Sequence, residues 1–309
     1  SDDCVVRVAR EASSIWHIFL SALPAFISIV AIVVIISVVS NHFLTRSFIA
    51  PIEQVANNLD NLDKVTVYKE MQPFVTTIKK QHDDIIKNAI MRQEFTANVS
   101  HELKTPLTAI SGYSELIKNG MAGSEDIGRF ANEIYTNANR LLTLINDIIN
   151  LSELDRGAPL EYEDVDISEI AGNCVSMLDF HAKENQVTLH FDGEKTIVRG
   201  NKNKLEEVVY NLCDNAIRYN KAGGEVWVTV KNTPEGKILS VRDNGIGISK
   251  ENQKRIFERF YRVDKSRSKK TGGTGLGLAI VKHIIEQHNF NIEVISDENT
   301  GTTINVIMK

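Results

Sequence analysis

The stretch FTANVSHELKTPLTAI, Phe95 to Ile110, decides how the chain is read. Phe95, Val99, Leu103, Leu107 and Ile110 recur in steps of four and three, and Ile117 continues the series. At about 100° per residue these positions share one helix face. On the same wheel His101 points away from that face, so its imidazole is expected in solvent. An isolated exposed histidine would be ordinary surface, but its neighbours suggest chemistry. Glu102 is an adjacent carboxylate that can take up the Nδ1 proton and leave Nε2 as a nucleophile. Thr105, one turn on, shares the face of His101. Pro106 removes a backbone N–H and is expected to bend the helix beside the imidazole.

Working outward, the pattern predicts one helix over 83–119, ended by Asn119-Gly120, with Gly123-Ser124 as turn and N-cap. A second helix follows from about Glu125 to Leu154. Its apolar positions Ile127, Phe130, Ile134, Leu141, Leu144, Ile148 and Leu151 alternate in threes and fours, a bundle-seam pattern. Two helices with one stripe each cannot enclose a core. A homodimer in which two hairpins form a four-helix bundle is therefore expected.

Upstream, no Asp, Glu, Lys or Arg occurs from Ala12 to Thr45, and AFISIVAIVVIISVV (Ala25 to Val39) is almost wholly apolar. About 20 apolar residues suffice to cross a bilayer as a helix. Trp16 and His17 at one end and Asn41 to Arg46 at the other suit the two interfaces. A signal peptide fits less well, because amphipathic helix rather than a cleavage site follows. Arg7 and Arg10 against Arg46 do not fix the orientation. The chain opens on Ser1 rather than Met and reads as a fragment or a processed product.

Downstream, Arg156-Gly157-Ala158-Pro159 breaks the helical pattern and marks a boundary. Helical patterns at Ser168–Asn185, Lys202–Tyr219 and Gly275–His288 then alternate with strand-like runs at 187–191, 196–200, 224–231 and 237–243. Two more strands close the chain. This predicts a two-layer α+β sandwich. With 309 residues, 24% charged, 42% hydrophobic and a net charge of −5, the composition suits globular domains and argues against a nucleic-acid binder. Cys4, Cys174 and Cys213 lack metal or disulfide spacing. Cys174 and Cys213 read as small core residues.

Four further stretches carry chemistry. In NLCDNAIRYN, Asn211, Asn215 and Arg218 stand at i, i+4 and i+7, a polar helix face with no apolar task. DNGIGI, Asp243 to Ile248, follows a strand and turns tightly on Gly245 and Gly247. FERFYRVD, Phe257 to Asp264, leads into a polar, basic run with Lys265, Arg267, Lys269 and Lys270, expected to be a flexible lid attractive to a triphosphate. TGGTGLGLAIVKHII sets Gly273, Gly275 and Gly277 before an apolar helix, where backbone N–H groups favour phosphate. Taken alone, an Asn pair is surface, D-N-G is a turn and a glycine cluster is a weak signal.

In this order, however, the stretches resemble the H, N, G1, F and G2 boxes of the HisKA sensor histidine kinases, whose catalytic domain has the GHKL ATP-binding fold. The likeness covers about residues 90–309. It implies autophosphorylation of His101 with ATP and Mg²⁺, Glu102 as general base, and Thr105 positioning a water when a partner is dephosphorylated. It implies Asn215 as Mg²⁺ ligand, Asn211 and Arg218 facing the phosphates with Tyr219 beside them, and Asp243 on the adenine amino group with Gly245 and Gly247 at its turn. Arg262 would reach the phosphates on lid closure, and Gly273, Thr274, Gly275, Leu276 and Gly277 would form the G2 cradle. GHKL members that hydrolyse ATP carry Glu at the Asn211 position. An Asn cannot activate water, so Asn211 counts among the catalytic determinants by letting ATP wait for a histidine. Arg218, where Lys is common, and Cys213-Asp214 within the box are departures that leave the activity expected.

The likeness further implies transfer to an Asp of a separate response regulator, phosphatase activity toward it, and a bacterial cell membrane location with cytoplasmic catalytic domains. The resulting partition is a short extracytoplasmic remnant (1–14), a transmembrane helix (15–45), a linker (46–82), a dimerisation and histidine phosphotransfer domain (83–157) and a catalytic domain (158–309). No receiver domain fits after the sandwich. In the linker, Pro51-Ile52 and Glu70 resemble a shortened HAMP relay, with a plain helical connector as the alternative. Two rivals remain: a GHKL ATPase that hydrolyses ATP to drive motion, and a nucleotide-binding membrane scaffold without turnover.

Overall fold

The computed structural model describes residues 15–49, 52–53, 69–157, 160–234, 236–263 and 273–308. The chain divides into two compact units, Ser1–Arg92 and Gln93–Lys309.

In the first unit, α1 (Ile15–Leu44) runs into a short π-helical turn, Thr45–Ile49. The span Trp16–Ser47 is long and apolar enough to cross a membrane. Its large side chains, Phe26, Ile35 and Val38 among them, are exposed all round. A helix apolar on every side finds its natural partner in lipid or in other helices. A 3₁₀ turn, Lys69–Met71, then leads into α2 (Gln72–Lys118). This helix starts well ahead of residue 83. Pro73 is tolerated there because N–H groups in a first turn lack intrahelical partners anyway. The Thr76 and Thr77 hydroxyls donate to the Gln72 and Pro73 carbonyls, each at 2.8 Å. Pro51 and residues 54–68 of the HAMP-like stretch lie outside the described residues.

In the second unit, α2 is continuous through Pro106, and a turn at Gly120 (φ +67°) leads to α3 (Ser124–Asp155). Gly123, not Ser124, is the N-cap of α3 and makes no side-chain cap bond. Tyr113 and Phe130 meet across the hairpin with ring centroids 5.2 Å apart. Leu144, Leu151 and Leu154 of α3 are buried in the same core as the domain that follows. Leu107, Ile127, Tyr135, Leu142 and Ile149 stay exposed along the hairpin.

That domain consists of β1 (Glu163–Asp166), α4 (Ile167–Glu184), β2 (Val187–Gly193), β3 (Ile197–Gly200), α5 (Lys202–Arg218), β4 (Gly224–Thr233), β5 (Gly236–Asp243), α6 (Lys250–Gln253), α7 (Gly277–Gln287), β6 (Asn291–Asp297) and β7 (Gly301–Met308). The main sheet has the order β2-β4-β5-β7-β6, with β2 and β4 parallel and the other pairs antiparallel. β1 pairs with β3 in a separate ribbon. The short β1 and α6 carry no periodicity that the sequence reading could detect. Val226, Val228 and Val230 of β4 are buried, and the residues between them are only part-buried. That period of two turns one face of the sheet toward α4, α5 and α7. The Asp166 side chain caps α4 by accepting from Ser168 N, and Asn201 caps α5 by accepting from Lys204 N. The result is the expected two-layer α+β sandwich after a helical hairpin.

Candidate active site

His101 is three-quarters exposed, and its Nδ1 lies 3.8 Å from Glu102 Oε1. The exposure follows from the stripe, because Phe95, Val99 and Leu103 occupy the turned-in side of α2. Thr105 Oγ1 donates back to the His101 carbonyl at 3.2 Å. Glu102 Oε2 is shared by two guanidiniums, Arg140 Nη2 at 3.3 Å and Arg262 Nη2 at 3.4 Å.

On α5 the Asn211 amide donates to the Glu207 carbonyl at 2.9 Å. Arg218 Nε donates to Asp214 Oδ2 at 2.6 Å, so this guanidinium is held on its own helix. Asn215 stands one turn after Asn211, and its carbonyl accepts from Tyr219 N, the C-cap of α5. The Tyr219 carbonyl in turn accepts from Ile246 N at 3.2 Å, which fastens the end of α5 to the turn after β5. In that turn Asp243 Oδ1 accepts from Gly245 N at 2.8 Å and Thr302 N at 3.2 Å. Burial raises the Asp243 pKa, and the two amides offset part of that rise. Gly247 has φ +67°, and a Cβ there would run into the Asp297 carbonyl.

The glycine cluster closes the site from the other side. Gly275 has φ +74°, and its carbonyl accepts from Phe260 N at 2.8 Å. A Cβ on Gly277, the first residue of α7, would lie 2.6 Å from Asn211 Oδ1. Only glycine permits so close an approach of the α7 N-terminus to the asparagine face of α5. Arg262 donates to the Gly273 carbonyl and is almost fully buried, which lowers its pKa while nearby Glu102 counters the shift. The Thr274 hydroxyl donates to Asp147 Oδ2 at 2.6 Å, and Leu276, fully buried, follows it. Residues 264–272, which include the whole of the expected lid, lie outside the described residues.

The structure thus joins Asn211, Asn215 and Gly277 in one wall and Tyr219, Asp243, Gly245 and Gly247 in another. Arg262, bonded to Gly273, reaches Glu102 beside His101. Among the described residues no group of three or more His, Cys, Asp or Glu could hold a metal ion. A Mg²⁺ fits this donor set only as an ion held mainly by phosphates and water, with one carboxamide oxygen from the protein. The narrow approach at Gly277 and the positive φ at Gly275 suit a backbone cradle for phosphate. Sequence reasoning missed Arg140, Asp147, Arg259 and Thr302. Arg140 and Asp147 share a stripe with Leu144 and Leu151, at i, i+4, i+7 and i+11, so polar residues inside a buried face were the available signal.

Two family models match. The His Kinase A phospho-acceptor domain covers residues 91–157, and the histidine kinase-, DNA gyrase B- and HSP90-like ATPase domain covers residues 200–309. The sensor-like histidine kinase SenX3 of Mycolicibacterium smegmatis is 39% identical, over 72% of this chain and 59% of its own length. The heme sensor protein HssS of Staphylococcus saprophyticus is 33% identical, over 95% of this chain and 64% of its own. The chain therefore spans about three-fifths of these relatives. The structure of histidine kinase ThkA in complex with response regulator TrrA shares the fold at a TM-score of 0.59 and 21% identity, over 74% of this chain and 65% of that one. With both domains matched in order and these relatives alongside, the chain belongs to the HisKA-type sensor histidine kinases with a GHKL ATP-binding domain.

Proposed function

We propose that this chain phosphorylates its own His101 from ATP and passes the phosphoryl group to an aspartate of a separate response regulator. The observation that carries the reading is the meeting of the two boxes. An exposed His101 stands beside Glu102, and Glu102 touches Arg262, which is bonded to Gly273 at the edge of the glycine cradle.

Asp243, backed by two amide donors, is a fixed acceptor for the exocyclic amine of adenine. Asn211, Asn215 and the N–H groups at Gly275 to Gly277 would line the triphosphate. Bound through Asn215, Mg²⁺ would neutralise phosphate charge, the main demand of phosphoryl transfer. Glu102 Oε1 faces His101 Nδ1 and can hold its proton, which directs the lone pair of Nε2 outward. Arg262 is placed to meet charge that develops on the transferred group. Asn211 offers no base to activate water, which favours the histidine as acceptor over an ATPase outcome. Glu207, one turn earlier, is engaged by Lys204 and Asn150. Thr105, on the face of His101, suits a water-positioning role in dephosphorylating the regulator.

The exposed apolar side chains of the hairpin, Ile127, Leu142 and Ile149 among them, support a homodimer with a four-helix core. The span Trp16–Ser47 supports attachment to a bacterial cell membrane, with the kinase domains in the cytoplasm. The ThkA–TrrA complex supports a response-regulator partner.

The test uses the full chain in detergent with γ-labelled ATP and Mg²⁺, beside His101→Gln. Acid-labile, base-stable label on the wild type alone is expected. Continuous phosphate release without label would replace the kinase by an ATPase. Nucleotide binding with neither label nor release would leave a scaffold.

A further inference from the structure

We propose that the helical hairpin guards the phosphate site with two of its own carboxylates, Asp147 on Thr274 and Glu102 on Arg262, so that this docked arrangement and a bound triphosphate exclude one another. The inference rests on the ATP reading above and adds regulation to that site.

Thr274 is buried and has one O–H to give. It gives that proton to Asp147 Oδ2 at 2.6 Å. Arg262 divides its Nη2 between the Gly273 carbonyl and Glu102 Oε2. Hydroxyls and guanidiniums bind carboxylate and phosphate oxygens by the same charge-assisted hydrogen bonds, so the two anions compete for the same donors. Asp147 also brings its own charge to the glycine cradle, where it would repel a triphosphate. Burial raises its pKa, so its place there costs solvation energy that a purely packing residue would not spend. Further contacts hold the arrangement: Arg259 on Asp155 at 2.7 Å, the Leu154 carbonyl accepting from Gln287 at 3.1 Å, and Phe95 against Phe260. Nucleotide that displaces Asp147 and takes Arg262 would leave Glu102, the carboxylate beside His101, with Arg140 alone as the substrate arrives. This is a population shift driven by differential binding to two states.

The experiment is calorimetric titration of the full chain in detergent with Mg²⁺–AMP-PNP and, separately, with adenosine, for wild type, Asp147→Ala and Asp147→Asn. The asparagine variant is near-isosteric and keeps an acceptor for Thr274, so it covers the case in which the alanine variant misfolds. Both variants are expected to bind AMP-PNP about 5-fold tighter or more, with adenosine affinity unchanged, because Asp243 lies in the other wall. AMP-PNP affinity unchanged or weakened overturns the proposal, as does an equal tightening for adenosine, which would place the effect in the fold and not at the phosphates. A wild type that binds neither ligand overturns the ATP reading itself.

Discussion

Arg262 Nη2 lies 3.4 Å from Glu102 Oε2, although 160 residues separate them in the chain. The guanidinium is almost fully buried and the carboxylate about a quarter exposed. Removing the arginine therefore touches both the glycine cradle and the histidine box. Arg262→Ala is expected to slow phosphohistidine formation by about 1,000-fold or more, the lower end of the range for arginines that stabilise transferred phosphoryl groups. Arg262→Lys should not restore it, because a compact, strongly hydrated ammonium is a poor substitute for a buried guanidinium whose Nη2 serves both the Gly273 carbonyl and Glu102. Initial rates of acid-labile labelling decide this.

Asp243 is a buried carboxylate whose pKa burial raises. A raised folded-state pKa contributes stability that is fully present below the unfolded value of 3.8 and is lost as pH rises through the folded value. At neutral pH the charge is a net cost to the fold. Asp243→Asn should therefore leave Tm equal or higher while nucleotide affinity falls at least about 10-fold, since a carboxamide cannot hold the adenine amine as a carboxylate does. Thermal unfolding together with calorimetric titration reads both effects.

Gly247 combines φ +67° with a Cβ direction aimed at the Asp297 carbonyl. Gly247→Ala is expected to cost about 1–3 kcal/mol through backbone strain. It should weaken adenosine binding as well, by shifting the turn that holds Asp243. By contrast, Gly112→Ala, where a Cβ meets nothing within 4 Å, should stabilise its helix slightly. Urea denaturation midpoints of the two variants should move in opposite directions.

His288 is buried between two obligate partners. The Ile284 carbonyl can only accept, so Nδ1 carries the proton; Asn201 N–H can only donate, so Nε2 is the bare acceptor. Burial lowers its pKa below 6.5. A depressed histidine contributes nothing unfavourable above the unfolded value, and stability falls as pH drops below about 6.5 toward the folded value, because the unfolded chain binds the proton first. The slope from this one group is at most about 1.4 kcal/mol per pH unit. His288→Gln should flatten the decline of the urea midpoint between pH 7 and pH 5, ~2 units across the ordinary histidine range. An identical slope in the variant would remove His288 from the account.

The stripe of Phe95, Val99 and Leu103, the heptads ending in Leu151, the period-two run of β4 and the polar face of Asn211 and Asn215 were all legible in the sequence. Each is encoded within a turn or two of chain, where backbone geometry converts spacing directly into direction. Length and polarity likewise made α1 a membrane candidate without any knowledge of its neighbours. The tertiary structure alone decided which partners the charged groups meet. Glu102 looked like a base for His101, yet it also binds Arg140 and Arg262. Asp147, which the sequence reading passed over, takes the Thr274 hydroxyl 127 residues away. Such pairings depend on how two separately patterned layers dock, and no local period records that docking. The same holds for β1, whose partner β3 lies beyond a whole helix.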